Sequence, residues 1–523
     1  MKQLFSLVLL LMAVFTLKAQ GPQPQQLPLD PAVKHGVLPN GLTYYILHNE
    51  EPKNRANFYI AQKVGSTLET PDQLGLAHFL EHMAFNGTTT YPGKDLLNYL
   101  QSKGIRFGAD INAYTSFDET VYNIDNVPTN DVQLMDSVLL ALRDWSSSIL
   151  LEESEINAER GVIREEWRSR NSAQVRMYEA MLPQIFQEYQ YQQMPIGKID
   201  IIMNFKPEVL RAYYKKWYRP DQQGIIIVGD FDAAEMEKKV VDLFSKIPMP
   251  ENAAERTYPV ISDNEKPIYY AFSDKELPNS MITVSFKSEK FPLELRNTDQ
   301  GYLFADLVPV MLSSMINERL SDYAQEADCP YAYAGVRIGN FYVAKTKDSF
   351  NIYIIPKDNV SPEKAYSAAL AVVARACKTG FLTSEAERAR DKILANLEKA
   401  YNERNKTQNS ALAQEFINNF IDSKPAPGIE NKRMLATMFL NSIPVDLYNQ
   451  IAGTLMTPNN QVIVVSVPEG KEILSEAASV QLLTDAMNAQ YEAYQEEAIT
   501  APLIAKQPVA GTIKSEKYTA EFG

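Results

Sequence analysis

Two histidines and a glutamate lie within five residues of each other in the segment His78-Phe79-Leu80-Glu81-His82. Apolar residues recur there at helical spacing and Asn86-Gly87 follows, so the sequence predicts a helix that ends near residue 86. Residues four apart share a helix face, and His78 and His82 therefore point the same way. Two imidazoles so arranged can bind one metal ion, most often zinc. The spacing predicts a site for one Zn²⁺ per chain.

Glu81 is a candidate general base. It lies beside His82 and one turn from His78, where its carboxylate can accept a proton from water at the metal without binding the metal itself. The order H-x-x-E-H is the signature of the zinc peptidases called inverzincins. The alternative is a pair of ordinary helix histidines, each with a satisfied hydrogen bond. The chain has four histidines and two of them fall here, which favours the metal site.

A third metal ligand is expected, because a catalytic zinc takes three protein ligands and keeps one position open. No further histidine is well placed, so a carboxylate is predicted, and the densest run of glutamates lies at residues 157–168. On a helix, Glu159 and Glu166 lie about 20° apart and share a face with Ile163. Both glutamates are therefore candidates. The alternative is an ordinary charged surface helix, which the apolar residue on the same face disfavours.

The length and composition of the chain limit its class. It has 523 residues, of which 45% are hydrophobic and 22% charged, and its net charge is −14. This length predicts about two to four domains, and the composition is that of a soluble globular protein. The negative charge argues against nucleic acid as a partner. It permits a negative interior that attracts basic peptides.

The N-terminal residues 1–20 have the features of a secretory signal peptide. Lys2 precedes an apolar run at residues 4–17, and Ala19 is a small residue suited to cleavage. The run is too short to span a bilayer comfortably, and no later apolar stretch is long enough. The sequence thus predicts an exported protein, periplasmic or secreted, with no membrane span. Cys329 and Cys377 could form a disulfide in an oxidising compartment if their geometry fits.

Strands and helices are predicted along the chain in two series of the same order. Residues 219–227 resemble residues 457–465: the second residue of each segment is a proline, and an apolar strand follows it. The sequence predicts an α+β fold of two homologous domains, each a mainly antiparallel sheet covered by helices. The catalytic domain is placed at 28–250 and the second at 262–500. Residues 501–523 are predicted to be a linker.

Three motifs in order resemble those of the insulinase/pitrilysin family of zinc peptidases, which includes insulin-degrading enzyme and the mitochondrial processing peptidase. The resemblance runs from about Val37 to the C-terminus and weakens after residue 260. It implies bound zinc and peptidase activity. The motifs are His78-Phe79-Leu80-Glu81-His82 with Gly87-Thr88, Asn112-Ala113-Tyr114-Thr115-Ser116 with Thr120 and Tyr122, and Glu159-Arg160-Gly161-Val162-Ile163 ending in Glu166.

The resemblance assigns roles to the two glutamates that the helical period leaves equal. In this family the second of two glutamates seven residues apart is the metal ligand and the first supports the site. This implies that Glu166 binds zinc with His78 and His82, while Glu159 belongs to the catalytic apparatus with Glu81. The interval from His82 to Glu166 is longer than the family's usual spacing, which would place the ligand near Glu159.

The resemblance also implies a substrate site. In this family a peptide adds as a strand to an exposed sheet edge beside the zinc and is held by its backbone. Asn112, Ala113 and Tyr114 match that edge, so they are expected to bind substrate. The alternative is a plain strand and turn, which the same pattern of alternation fits.

The function predicted from these residues is zinc-dependent endopeptidase activity on peptides or unfolded polypeptides. The alternative is a non-catalytic subunit that binds peptides or acts as a scaffold in a two-subunit complex. An intact H-x-x-E-H with a downstream glutamate favours the enzyme.

Members of this family close a chamber from four such domains, in one long chain or in two subunits. The sequence is therefore expected to be the N-terminal half of a long member or a half-length subunit. In either case a second half-molecule or a dimer partner is expected to supply the facing wall.

Overall fold

The computed structural model of the chain describes residues 23–496, 504 and 508–517. The predicted signal peptide lies outside the described residues, and the predicted linker at 501–523 lies outside them in part. No helix in these ranges is both long enough and apolar enough to cross a membrane. Cys329 and Cys377 are free and buried.

The first sheet has six strands. They are β1 (Lys34–Val37), β2 (Thr43–His48), β3 (Arg55–Gln62), β4 (Ile111–Thr115), β5 (Thr120–Pro128) and β6 (Gln223–Gly229). They are hydrogen-bonded in the order β1-β2-β6-β3-β5-β4. Strands β2 and β6 run parallel, and the other neighbours are antiparallel. Strand β4 therefore lies at the end of the sheet, with β5 as its neighbour on one side.

The second sheet repeats this order. Its strands are β7 (Ile268–Asp274), β8 (Met281–Glu289), β9 (Tyr331–Asn340), β10 (Lys347–Pro356) and β11 (Gln461–Pro468). They lie in the order β7-β11-β8-β10-β9, and β7 and β11 form the parallel pair. This order matches β2-β6-β3-β5-β4 strand for strand. The chain thus has the predicted α+β fold of two homologous domains. The sheets fall within the ranges 28–250 and 262–500, whose limits stay predictions.

Helices pack on the faces of both sheets. Those that precede β7 are α1 (Leu76–Met83), α2 (Asp95–Ser102), α3 (Val132–Ser147), α4 (Glu153–Ser169), α5 (Ala173–Ile185), α6 (Ile199–Asn204), α7 (Pro207–Trp217) and α8 (Ala233–Phe244). Those that follow β8 are α9 (Val308–Tyr323), α10 (Pro362–Thr379), α11 (Thr383–Asn402), α12 (Asn409–Asp422), α13 (Gly428–Ser442), α14 (Val445–Ala452) and α15 (Glu476–Asn488). A π-helical stretch, Tyr302–Leu307, leads into α9.

Helix α3 illustrates how the sequence fixes a helix on the first sheet. Asp131 caps its N-terminus by accepting a hydrogen bond from the N–H of Leu134 at 2.9 Å. Its buried residues recur at intervals of three and four, which gives it one apolar face. Trp145 on that face donates from Nε1 to the carbonyl oxygen of Ala84 at 2.9 Å. This bond joins α3 to the end of α1, the helix that carries the paired histidines.

The first sheet is apolar on both faces. On β6, Ile225 and Ile227 face the main core of the first domain, whereas Ile226 and Val228 face the opposite side. This alternation follows from the two-residue period of a strand. Helix α12, which belongs to the second domain, covers the opposite side of this sheet. Its buried residues on that side include Phe420.

Helix α5 of the first domain covers the second sheet in return. Its residues Met181 and Leu182 pack with Val462 and Val464 of β11, on the face turned away from the second domain's main core. Each domain therefore supplies one helix that covers the outer sheet face of the other. The two domains share these apolar layers and form one packed unit.

Phe420→Ala is expected to lower the free energy of unfolding by about 3–5 kcal/mol, because removing a buried ring leaves a cavity between α12 and β6. Gly224 on β6 packs against this ring so closely that a Cβ there would lie 2.8 Å from it. Urea unfolding followed by tryptophan fluorescence measures the change. The control is Met438→Ala on α13, where the side chain is 55% exposed and the expected change is below about 0.5 kcal/mol. Wild-type stability of Phe420→Ala would show that α12 does not stabilise the first domain.

Candidate metal centre

Helix α1 begins where two loops meet. Gly75 precedes it with φ +104°, and Gly197 packs so closely that a Cβ on Gly197 would lie 2.2 Å from the Cα of Gly75. The Glu69 carboxylate accepts hydrogen bonds from the N–H groups of Gly75 at 2.9 Å and Ala77 at 2.6 Å. The first N–H groups of a helix have no partner within it. A buried acceptor therefore fixes the start of α1.

The two histidines of α1 and one glutamate of α4 meet at a single point. His78 Nε2 lies 3.7 Å from Glu166 Oε1, and His82 Nε2 lies 3.1 Å from Glu166 Oε2. One candidate ligand atom from each of the three residues lies within 4.8 Å of the others. His78 is buried, whereas His82 and Glu166 are partly accessible. The structure thus brings together the three residues predicted as metal ligands, on one side of α1.

Glu159 and Glu166 approach opposite sides of the same imidazole ring. Glu159 Oε1 accepts a hydrogen bond from His82 Nδ1 at 2.8 Å, while Glu166 lies at Nε2. The second oxygen of Glu159 accepts from Asn86 Nδ2 at 2.6 Å. Lys94 in turn donates to the Asn86 side-chain oxygen. Glu159 is therefore placed to orient His82, and Glu166 is the glutamate that faces both histidines.

The ionisation of His78 and Glu166 fits a zinc ion. Burial and the neighbouring His82 lower the pKa of His78 to about 3, so its ring is neutral near pH 7. Burial alone would raise the pKa of Glu166, but contacts with His82, His78 and Arg170 outweigh burial and lower it to about 2. Neutral imidazole and ionised carboxylate are the forms that bind zinc.

His82 carries the charge in the metal-free protein. Burial alone would lower its pKa, but hydrogen bonding and charge from Glu159 and Glu166 outweigh burial and raise it to about 9. Its Nε2 proton must therefore leave before this nitrogen can bind a metal, so metal binding releases a proton.

Glu81 lies on the same helix between the two histidines and is also buried. Its Oε2 accepts a hydrogen bond from Thr115 Oγ1 at 2.5 Å. Burial raises the pKa of Glu81, while the Thr115 hydroxyl and the charge of His82 act against this rise. A carboxylate whose pKa is raised towards neutrality is suited to both accepting and releasing a proton.

The residues predicted to bind substrate lie on β4. Strand β4 pairs with β5 along one side, and its other side has no strand partner within the described residues. Asn112, Ala113 and Tyr114 form the middle of this strand, and Ala113 packs against the core under α1. The Tyr114 hydroxyl donates to Glu119 Oε1 at 2.9 Å. Ile111 at its start is bridged to Phe107, and beyond that bridge the strand lies beside α1 with an edge that pairs with no described strand.

Three supporting residues were not predicted from the sequence. Glu69 holds the start of α1, Asn86 holds Glu159, and the hydroxyl of Thr115 contacts Glu81. Thr115 stands inside a motif quoted for the family and Asn86 directly precedes Gly87-Thr88, but their spacing gives no indication of the partner that each one contacts.

Two protein-family models match successive segments of the chain. The model described as Insulinase (Peptidase family M16) matches residues 44–197, and the model described as Peptidase M16 inactive domain matches residues 204–393. The chain belongs to the insulinase family of peptidases. His78, Glu81, His82, Glu159 and Glu166 all lie in the first match, outside the region that resembles the inactive domain.

Similar proteins and structures extend this family assignment. The chain is 30% identical over 478 residues to "Probable zinc protease PqqL" of Escherichia coli, an alignment that covers 90% of this chain and 50% of that protein. The crystal structure of the first half of the periplasmic protease PqqL from Escherichia coli matches with a TM-score of 0.82 and 29% identity, over 90% of this chain and 100% of that one. The crystal structure of the periplasmic protease PqqL from Escherichia coli matches with a TM-score of 0.83 and 28% identity, over 92% of this chain and 53% of that one. This chain spans about half the length of the curated relatives that it matches over most of its own length.

Glu166→Gln is expected to lose zinc, because a carboxylate ligand is replaced by a weaker neutral one. Glu159→Gln should keep more zinc than Glu166→Gln does, because Glu159 orients the ligand His82 and does not itself bind the metal. Its zinc affinity or activity should fall about 10- to 100-fold. Zinc content after dialysis, measured by plasma mass spectrometry, tests both. Glu165→Gln is the control, because its side chain is 60% exposed on the same helix. Loss of zinc in Glu159→Gln with retention in Glu166→Gln would invert the assignment.

Proposed function

We propose that this chain contains the zinc centre of an endopeptidase that hydrolyses peptides or unfolded polypeptides. The observation that carries the proposal is the meeting of His78 Nε2, His82 Nε2 and the Glu166 carboxylate, beside Glu81 on the same helix. One zinc ion per chain is proposed, with those three side chains as its ligands. When bound, zinc would polarise the scissile carbonyl and activate water.

Glu81 is the proposed general base. Its carboxylate accepts a proton from the attacking water and then donates that proton to the leaving amine. The burial that raises its pKa supports both steps, because a raised pKa makes the carboxylate a stronger base towards water. Glu159 acts through His82, whose ring it holds by the hydrogen bond to Nδ1.

The free edge of β4 is the proposed substrate site. A peptide that pairs there adds one antiparallel or parallel strand to the sheet, and its backbone makes most of the contacts. Asn112, Ala113 and Tyr114 would hold it beside α1. A segment must be extended to pair in this way, which favours peptides and unfolded polypeptides over folded proteins.

Efficient cleavage is proposed to need a second half-molecule. The support is that this chain aligns with the whole of the first half of PqqL and with about half of the longer structure. A facing half would exclude water and complete the stabilisation of the oxyanion. It could be a further part of a longer chain or a partner subunit. The 523-residue chain alone should bind zinc and turn over peptides slowly.

We also propose that the protein is exported to the periplasm or secreted. The signal-like residues 1–20 support this, as does the description of the matched Escherichia coli protein as a periplasmic protease. N-terminal sequencing of the mature protein should begin near Gln20 or Gly21. A retained Met1 on a membrane-bound product would contradict export as a cleaved, soluble protein.

Glu81→Gln is expected to keep zinc and to abolish turnover of a quenched fluorescent peptide, because the amide cannot accept the proton. The wild-type chain is the reference, with zinc content measured on the same samples. Undiminished cleavage by Glu81→Gln would rule out Glu81 as the base.

Sedimentation of the wild-type chain, run beside the peptidase assay, tests whether cleavage needs a second half-molecule. A monomer that cleaves efficiently would show that no facing half is needed.

A further inference from the structure

The Glu81 carboxylate is held by a residue of the strand proposed to carry substrate. Thr115, the last residue of β4, places its Oγ1 at 2.5 Å from Glu81 Oε2. Among the described residues, no other side chain donates to this carboxylate, and Oε1 accepts no hydrogen bond. One oxygen is thus fixed and the other remains available to accept a proton.

The hydrogen-bond directions around Thr115 are determined by its neighbours. Thr120 lies opposite it on β5, with the two Oγ1 atoms 3.4 Å apart. Thr120 donates its own proton to the carbonyl oxygen of Val64 at 2.8 Å. The Thr115 proton therefore goes to Glu81, whose Oε2 at 2.5 Å is a closer acceptor than the Thr120 oxygen at 3.4 Å.

The end of β4 is fixed on both of its faces. Thr115 lies on the same face as Ala113, towards α1, as the two-residue period of a strand requires. On the other face, Tyr114 donates to Glu119 at 2.9 Å. Lys345 of the second domain donates to Glu119 at 2.5 Å and to Asp422 at 2.8 Å. This ionic contact ties the β4–β5 turn to the second domain, so the Thr115 hydroxyl has little freedom to move.

We propose that Thr115 is a positioning residue that holds Glu81 at a fixed place relative to the substrate strand. The inference rests on the proposed function, because it gives the proposed base a support. A peptide paired along β4 takes its register from Asn112, Ala113 and Tyr114. The next residue of the same strand, Thr115, fixes the position of the Glu81 carboxylate. One rigid element then fixes both the scissile bond and the group that accepts the proton.

Thr115→Val removes the hydroxyl and keeps the shape and strand preference of the side chain. We expect kcat for a quenched fluorescent peptide to fall about 10- to 100-fold, because the base is no longer aligned. KM and zinc content should stay close to those of the wild-type chain, since neither the strand backbone nor a ligand changes. Thr115→Ser keeps the hydroxyl and should restore most of kcat.

Thr43→Val is the matched control for the loss of a strand hydroxyl. Thr43 is half-buried on β2, and its hydroxyl makes no hydrogen bond to a described residue. This variant should keep the kcat of the wild-type chain. A fall in kcat for Thr115→Val with no rescue by Thr115→Ser would show that side-chain shape matters and would overturn the proposal, as would an unchanged kcat in Thr115→Val.

A second measurement does not depend on turnover. In the metal-free chain, Thr115→Val should lower the urea midpoint of unfolding, because Glu81 loses its donor. In a Glu81→Ala background the same change should have a much smaller effect, which is the coupling that a double-mutant cycle measures. Equal shifts in both backgrounds would contradict the contact. A wild-type chain that binds no zinc and cleaves nothing would contradict the proposed function instead, and this cycle would still decide whether Thr115 holds Glu81.

Discussion

One buried carboxylate, that of Glu69, holds the start of the helix on which the whole site depends. Helix α1 has eight residues, and a helix so short is marginal in water unless the rest of the protein fixes it. Glu69 accepts hydrogen bonds from its first N–H groups, and Trp145 donates to Ala84 just beyond its last residue. With both ends fixed, helical geometry alone gives the common direction of His78 and His82.

The sequence was informative wherever one element contains the whole pattern. His78, Glu81 and His82 lie on a single helix, and the seven-residue interval from Glu159 to Glu166 lies on another, so periodicity was enough to select all five. Periodicity could not rank the two glutamates, because the ranking depends on how α4 lies against α1. The structure places them at opposite nitrogens of one ring, a relation between elements that no interval along the chain contains.

The missed features share that cause. Asn86 and Thr115 contact partners 73 and 34 residues away, in directions that turns and sheet pairing determine. Helix α5 has only a weak signal in the sequence for a related reason: it contains Pro183, which local rules disfavour inside a helix, and its apolar residues pack on the other domain's sheet. The α+β class and the repeat were predictable because both sheets are built from apolar strands in the same chain order.

The exchange of α5 and α12 between the domains also affects how the protein is made. The strands of the first sheet end with β6 at Gly229, yet α12, the helix that covers its outer face, begins only at Asn409 in the second domain. A chain that has emerged only as far as β6 would present an apolar sheet face, the kind of surface that adheres to other chains and that chaperones bind. The first domain therefore reaches its final packing only after far more of the chain is free to fold than that domain contains.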